Sequence, residues 1–459
     1  VALCQPAFVC EFRRPWLELP ICSRSAGTFY TDLHAMGCRQ LRNVDKWRAF
    51  RRVVPVVVVV FIACVPGAPP AEIVIYDVTV IDAVNGVRDN QTVVVDKGRI
   101  TMVAEGDLSV DALESIDGAG HYLIPGLWDF HVHLTYDERF TAAMPGLFLN
   151  HGITSIRDTG GPLESIVPIV EELRAEGATA PRVFFAGPLL DGADVVYDGE
   201  NNPLLGITNP DPETARANVA RFADAGVDFL KIYEMISPEV FEVLVAEAEA
   251  RGLPMDGHVP LSMRARDVGP RVQSLEHLRN IELDCTSDPE RLLPERSRRL
   301  QNSDRVPGAQ LRSSLHALQR LAAVAAYDEG ECDDVISAMS GTIQVPTLRL
   351  NALALRPPFD RPDWDDLLDK LPSGIEQSWR TTTEERRGVE EQNGDDTFAR
   401  WSLFLVERMH RAGVPIAAGT DTPISFAAPG YSLHSELEML VRAGLSPLEA
   451  LRSATLRPA

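Results

Sequence analysis

Three things are scarce in this sequence of 459 residues: positive charge, long apolar runs, and cysteine outside the N-terminal stretch. Lys and Arg number 44 against 66 Asp and Glu, a formal net charge of −22. The first 64 residues hold nine Lys/Arg and four Asp/Glu, so the remainder stands at −27. So acidic a body repels nucleic acid, and no basic stripe offsets it. The apolar run Val53 to Ala63 has eleven residues, too few to cross a bilayer as a helix, which takes about 20. A phosphate cradle is missing as well, because Thr159-Gly160-Gly161 is too short to be a P-loop. Of seven cysteines, only Cys285 and Cys332 lie beyond residue 64, and neither has metal-type CxxC spacing. Two buried thiols are the plain expectation. If the body is exported, the pair could instead join, closing a loop of about 48 residues and stabilising by roughly 3–4 kcal/mol.

What is present suits a large folded core: 45% of residues are hydrophobic and 24% charged. The first methionine is Met36, and residues 1–35 show no sustained periodicity, which suggests an over-extended leader. From 36 to 64 a basic stretch (Lys46, Arg48, Arg51, Arg52) precedes the apolar run, as in a secretory signal. Phe61-Ile62-Ala63-Cys64 is similar to a bacterial lipobox, with Phe61 in place of the usual Leu. The expectation is an exported periplasmic or cell-envelope lipoprotein anchored through Cys64. Cleavage near Ala68 and a retained interfacial anchor are the alternatives. Residues 65–121 form the N-terminal part of a small β domain, with strands Ile73–Val80, Thr92–Asp96 and Ile100–Ala104 between turn pairs Asn85-Gly86 and Lys97-Gly98.

Residues 122–459 alternate apolar strands with helical segments. Strands are expected at Leu123–His133, Thr154–Asp158, Val183–Gly187, Phe229–Tyr233, Pro254–Val259, Ser274–His277, Ile343–Thr347 and Ile416–Asp421. Pro238–Arg251 and Glu213–Ala225 are among the helices between them. Eight βα units predict an α/β chain folded as a (β/α)₈ TIM-like barrel, with its chemistry at the C-terminal strand ends. There the sequence places His131 and His133, Lys231, His258, His277 and Asp421. Two histidines at i and i+2 of a strand project side by side and suit a divalent metal. A lysine on an inner strand face is costly to bury charged. Its neutral amine can take up CO₂ to give an anionic, bidentate carbamate.

PGLWDFHVHL, GITSIRDTGG, FLKIY, GLPMDGHVP, SLEHL and AAGTDTP, in that order over roughly residues 70–459, resemble the amidohydrolase superfamily in its binuclear form. The local wording is similar to the imidazolonepropionase-like and Xaa-Pro dipeptidase (prolidase-like) branch. The resemblance implies a β-sandwich small domain, completed by a segment after the last βα units. It implies two divalent ions, zinc favoured, one held by His131, His133 and Asp421 and the other by His258 and His277. Carboxylated Lys231 and a hydroxide would bridge them, with Asp421 as proton shuttle. Tyr233 shares its strand face with Lys231 and would face substrate; a structural tyrosine is the alternative. The implied activity is hydrolysis of an amide in a dipeptide or N-acyl amino acid. Rivals are a cyclic-amide hydrolase or deaminase, a lactonase on the same metal site, and a metal-free binding or assembly protein. A mononuclear deaminase would typically lack the strand-4 Lys and carry Glu three residues after His258, where Leu261 stands. A homo-oligomer is possible. Residues 282–340 form a long, charged excursion of no evident role. An internal ion pair is expected for Arg157 and Asp158, a helix C-terminus for His151, the surface for His434 and Glu436, and nothing for His316.

Overall fold

A computed structural model of the chain describes residues 2–4, 10–11, 70–200, 202–387 and 396–458. Apart from five residues of the leader, the segments 1–35 and 36–64, with the Phe61–Cys64 motif, lie outside the described residues. No described helix is long and apolar enough to cross a membrane.

Two short strands, β1 (Ala2–Cys4) and β2 (Cys10–Glu11), pair with each other at one edge of the first sheet. Its body is an antiparallel meander of β3 (Ala71–Asp82), β4 (Gly86–Asp96) and β5 (Arg99–Glu105). The turns fall at the expected pairs, where Gly86 and Gly98 adopt φ of 77° and 68° that side chains resist. Two further strands, β6 (Ala112–Asp117) and β7 (Tyr122–Ile124), pair parallel with β3. The first was not expected, because Ala-Leu-Glu-Ser-Ile-Asp is mostly exposed and lacks a β-branched run.

Pro125-Gly126 splits the expected strand Leu123–His133 into β7 and β8 (Leu127–Val132). A Cβ on Gly126 would lie 2.2 Å from the Thr154 hydroxyl, so the chain can pass there only as glycine. β8 pairs parallel with β9 (Ile153–Asp158), and β9 with β10 (Arg182–Phe185). A second parallel sheet runs through β11 (Leu189–Asp191), β12 (Gly206–Thr208), β13 (Leu230–Ile232), β14 (Met255–Gly257), β15 (Ser274–Glu276) and β16 (Ile343–Val345), in the order β12-β11-β13-β14-β15-β16. β11 and β12 had no counterpart among the expected strands. The Asp228 amide donates to the Phe185 carbonyl at 2.9 Å, linking the two sheets.

Seven of the eight expected strands are thus present, all but Ile153–Asp158 shorter than expected. The eighth, Ile416–Asp421, is a correction: it makes only single parallel bridges, Ile416 to Gln344 and Thr422 to Val132. The regular ladder fails because the Thr420 and Asp421 amides both turn to the His131 carbonyl, and Asp421 takes φ 59°. The segment still lies between β16 and β8. Helices cover the strands as expected: Pro238–Arg251 matches, capped by Ser237 and ended by Gly252 at φ 66°, and its Val240, Leu244, Val245 and Ala248 are buried in the main core.

The excursion after β15 carries helices Pro289–Arg299, Gly308–Ala325 and Glu329–Ala338. Cys285 and Cys332 form a disulfide across it, so the expectation of two free thiols is replaced by its alternative.

Candidate metal centre

Parallel strands carry their side chains to a common end, and here that end is a cleft. His131, His133, Lys231, Tyr233, His258, His277 and Asp421 all line it. Each is 5% exposed or less. Polar groups this deep require partners, and the partners define the site.

Each imidazole is oriented through Nδ1. His131 Nδ1 lies 2.5 Å from Glu276, His133 Nδ1 3.1 Å from the Gly160 carbonyl, and His258 Nδ1 2.8 Å from Glu234. His277 Nδ1 lies 2.7 Å from the Thr347 hydroxyl, which itself donates to the Pro346 carbonyl. Carboxylates and carbonyls only accept, and the Thr347 proton is already committed, so all four rings carry their proton on Nδ1. Nε2 of each then holds a bare lone pair, the tautomer that metal-binding histidines adopt.

Those lone pairs converge. His131 Nε2 is 3.3 Å from His133 Nε2, and each is 3.2 Å from Asp421 Oδ1. His277 Nε2 lies 3.8 Å from Asp421 Oδ2, and the His258 ring stands 4.9 Å from that of His277. His131, His277 and Asp421 each offer a ligand atom within 4.8 Å of the others. Three acceptors 3.2–3.3 Å apart with no proton between them repel unless a cation sits among them. Donor atoms about 2.0–2.1 Å from a tetrahedral zinc lie roughly 3.3–3.4 Å from one another, so the donor set fits a divalent ion. Lys231 supports the same reading: among the described residues its buried amine has no hydrogen-bond partner, and the Glu276 carboxylate is 3.7 Å away. Glycine makes the packing possible, since a Cβ on Gly419 would come within 2.8 Å of His131 Cβ.

The electrostatics agree at His277 and His258 and run the other way at His131. Burial pushes the His277 and His258 imidazoles down, His258 to about 3, which keeps them neutral. Burial is the largest influence on His131 and opposes its charge, but Glu276 and Asp421 together outweigh it and raise that ring. Asp421 is raised by burial and lowered further by His277 and His131, ending well below the usual carboxylate range.

Several residues that hold the site were not expected to. Glu276 receives His131, takes Arg157 at 2.7 Å and faces Lys231. Arg157 pairs with Asp256 and Glu276 rather than with Asp158, while Asp158 accepts the Leu134 and Gly160 amides. Glu234, behind His258, takes Arg312 Nε at 2.9 Å and lies 2.8 Å from His316 Nε2. The excursion thus has a role after all, and the dismissal of His316 is corrected. Glu436 is corrected too. It is fully buried, caps the Leu348 and Arg349 amides, and is pushed up to about 7 by burial. A charged residue inside an apolar strand, as in Ser-Leu-Glu-His-Leu, was the available signal for Glu276. His151 caps its helix as expected.

Similar folds are found in solved structures. An Xaa-Pro dipeptidase with methionine in its active site superposes with a TM-score of 0.57 at 17% identity, over 84% of this chain and 87% of that one. A bottromycin amidohydrolase gives 0.59 at 23% identity, over 85% and 77%. A candidate prolidase from Bifidobacterium longum gives 0.56 at 25% identity, over 85% and 84%. The fold is the one these dipeptidase and amidohydrolase structures share. No family model matches the chain. A dihydroorotase from Trichlorobacter lovleyi is 42% identical over 55 residues, and the match spans 12% of this chain and 13% of that protein. The resemblance in the strand-end motifs therefore extends to the fold, with Xaa-Pro dipeptidase and amidohydrolase structures among the neighbours.

Proposed function

We propose that the chain is a metal-dependent hydrolase of an amide bond in a dipeptide or N-acyl amino acid. The single observation that carries this is the set of four imidazoles, each fixed through Nδ1, turned with Asp421 and Lys231 onto one cleft. The bonds from Phe185 to Asp228 and the bridges to Ile416 and Thr422 support closure of the parallel strands into a (β/α)₈ barrel. His131, His133 and Asp421 would hold one ion, and His258 and His277 another, with Lys231 between them after its neutral amine has taken up CO₂. Two divalent ions, zinc favoured by imidazole and carboxylate donors, would polarise the scissile carbonyl and lower the pKa of water.

The chain's own groups would do the rest. The Asp421 carboxylate, ionised because its pKa is held low, accepts the attacking water's proton and passes it to the leaving amine nitrogen. Tyr233, its ring 4.5 Å from that of His258, closes one side against bulk water. A cyclic amide is the rival substrate, favoured by the short dihydroorotase match. Metal analysis of protein supplied with zinc and bicarbonate should find close to two ions per chain, and Lys231→Ala should lose at least one. One ion or none in active protein would overturn the binuclear assignment. A screen of dipeptides, N-acyl amino acids and cyclic amides then separates the substrates.

Location is part of the same proposal. The Phe61–Cys64 motif supports export and lipidation, and palmitate labelling in bacteria should disappear with Cys64→Ser. Labelling that survives the substitution would end that assignment.

A further inference from the structure

Most arginines near the cleft are committed. Arg157 is spent on Asp256 and Glu276. Arg312 is tied to Glu234. Arg349 donates to the Thr420, Ile424 and Ser425 carbonyls, and Arg361, in a second pocket, is taken by Glu438 and Asp363. Arg279 differs. It lines the same cleft as the histidines, yet among the described residues its guanidinium has neither a hydrogen bond nor an ion pair, and its Nε is buried without a partner.

The backbone fixes where Arg279 starts. His277, Leu278 and Asn280 adopt φ of 57°, 56° and 63°, a left-handed run that side chains resist unless surrounding contacts impose it. Those contacts are present. The His277 carbonyl accepts from Asn351 at 2.8 Å, the Arg279 amide donates to Glu276, and Asn280 donates to the Val259 carbonyl at 2.7 Å. The turn that aims His277 also holds Arg279 two residues beyond it. Tyr197 and Tyr233 line the same cleft.

We propose that Arg279 is the receptor for a carboxylate on the substrate, on the leaving-group side of the amide; this rests on the proposed hydrolase reading. A half-buried guanidinium without a partner is costly, and a carboxylate can satisfy two of its N–H groups at once. An anionic substrate also needs such a point of attraction, because a chain of net charge −22 repels it elsewhere. The cleft thus selects free acids over the matching amides, since a neutral carboxamide leaves the cation uncompensated.

The test uses the full chain loaded with zinc, and a panel of N-acetyl-L-amino acids against their C-terminal amides. The wild type should favour acids by about 10²-fold or more in kcat/KM. Arg279→Gln should shrink that ratio at least ten-fold, mainly through KM, and Arg279→Lys should shrink it less. Calorimetry on the metal-free protein gives a readout apart from turnover: N-acetyl-amino-acid binding should weaken at least ten-fold in Arg279→Gln. If that variant does not fold, Arg279→Lys carries both measurements. Acids and amides hydrolysed equally by the wild type would overturn the role of Arg279 and leave the hydrolase reading standing. Hydrolysis of neither, with acid binding that depends on Arg279, would overturn the hydrolase reading alone. Hydrolysis of neither and no acid binding would overturn both.

Discussion

Asp421→Asn is expected to lower kcat by about 10²–10⁴-fold, the contribution of a positioned general acid–base group, while metal content stays near that of the wild type. The asparagine keeps the size and one ligating oxygen at a position 3.2 Å from both His131 Nε2 and His133 Nε2. What it lacks is a group that takes and returns a proton. The native carboxyl suits that task because its neighbouring imidazoles keep it ionised in spite of burial. His258→Asn should behave differently, since it removes a donor and loses metal and activity together. An Asp421→Asn enzyme that retains its metal and turns over at near wild-type kcat would remove Asp421 from the role of proton shuttle.

The second large effect is expected at Glu276, which touches no substrate. Its carboxylate is completely buried, receives His131 and Arg157, and faces Lys231. Burial opposes its ionisation, but Lys231, His131 and Arg157 prevail and hold it well below the usual glutamate range. Glu276→Gln removes the negative charge and leaves Asp256 alone to balance Arg157 and Lys231. Breaking a buried pair from one side costs roughly 3–5 kcal/mol. The metal-free variant should therefore melt several degrees lower in scans at one fixed rate. His131 also loses the acceptor that fixes its tautomer, so zinc affinity should fall about 10–100-fold. A melting point and a zinc affinity both unchanged would show that Glu276 is a bystander.

The two effects mark what a sequence discloses. His131, His133, Lys231, His258, His277 and Asp421 are legible because each ends or follows a short apolar run, where a polar side chain is conspicuous. The helix Pro238–Arg251 is legible from its serine cap, its apolar face and its terminal glycine. Glu276 is harder, since one charged residue beside a histidine suggests a solvated strand end until its burial is known. Arg312 and His316 carry no local signal. They sit one helical turn apart on the excursion, and their meeting with Glu234 bridges 78 residues of sequence for Arg312. The eighth strand was overdrawn for a related reason: Ile416–Asp421 opens on a short apolar run before its carboxylate, but tertiary hydrogen bonds from Thr420 and Asp421 to His131 override the ladder.

A second set of bonds at Thr420 bears on when the centre comes into being. Thr420 donates both its amide and its hydroxyl to Asp129, at 3.0 and 2.7 Å, across 291 residues of chain. Such a closure is among the slowest contacts to form, because the intervening chain must lose its freedom before the pairing rewards it. Until then His131 and His133 lack the carboxylate that completes their cluster. On the proposed reading, tight zinc uptake during refolding is expected to report the joining of these two segments, 291 residues apart, while helical signal reports only the earlier events.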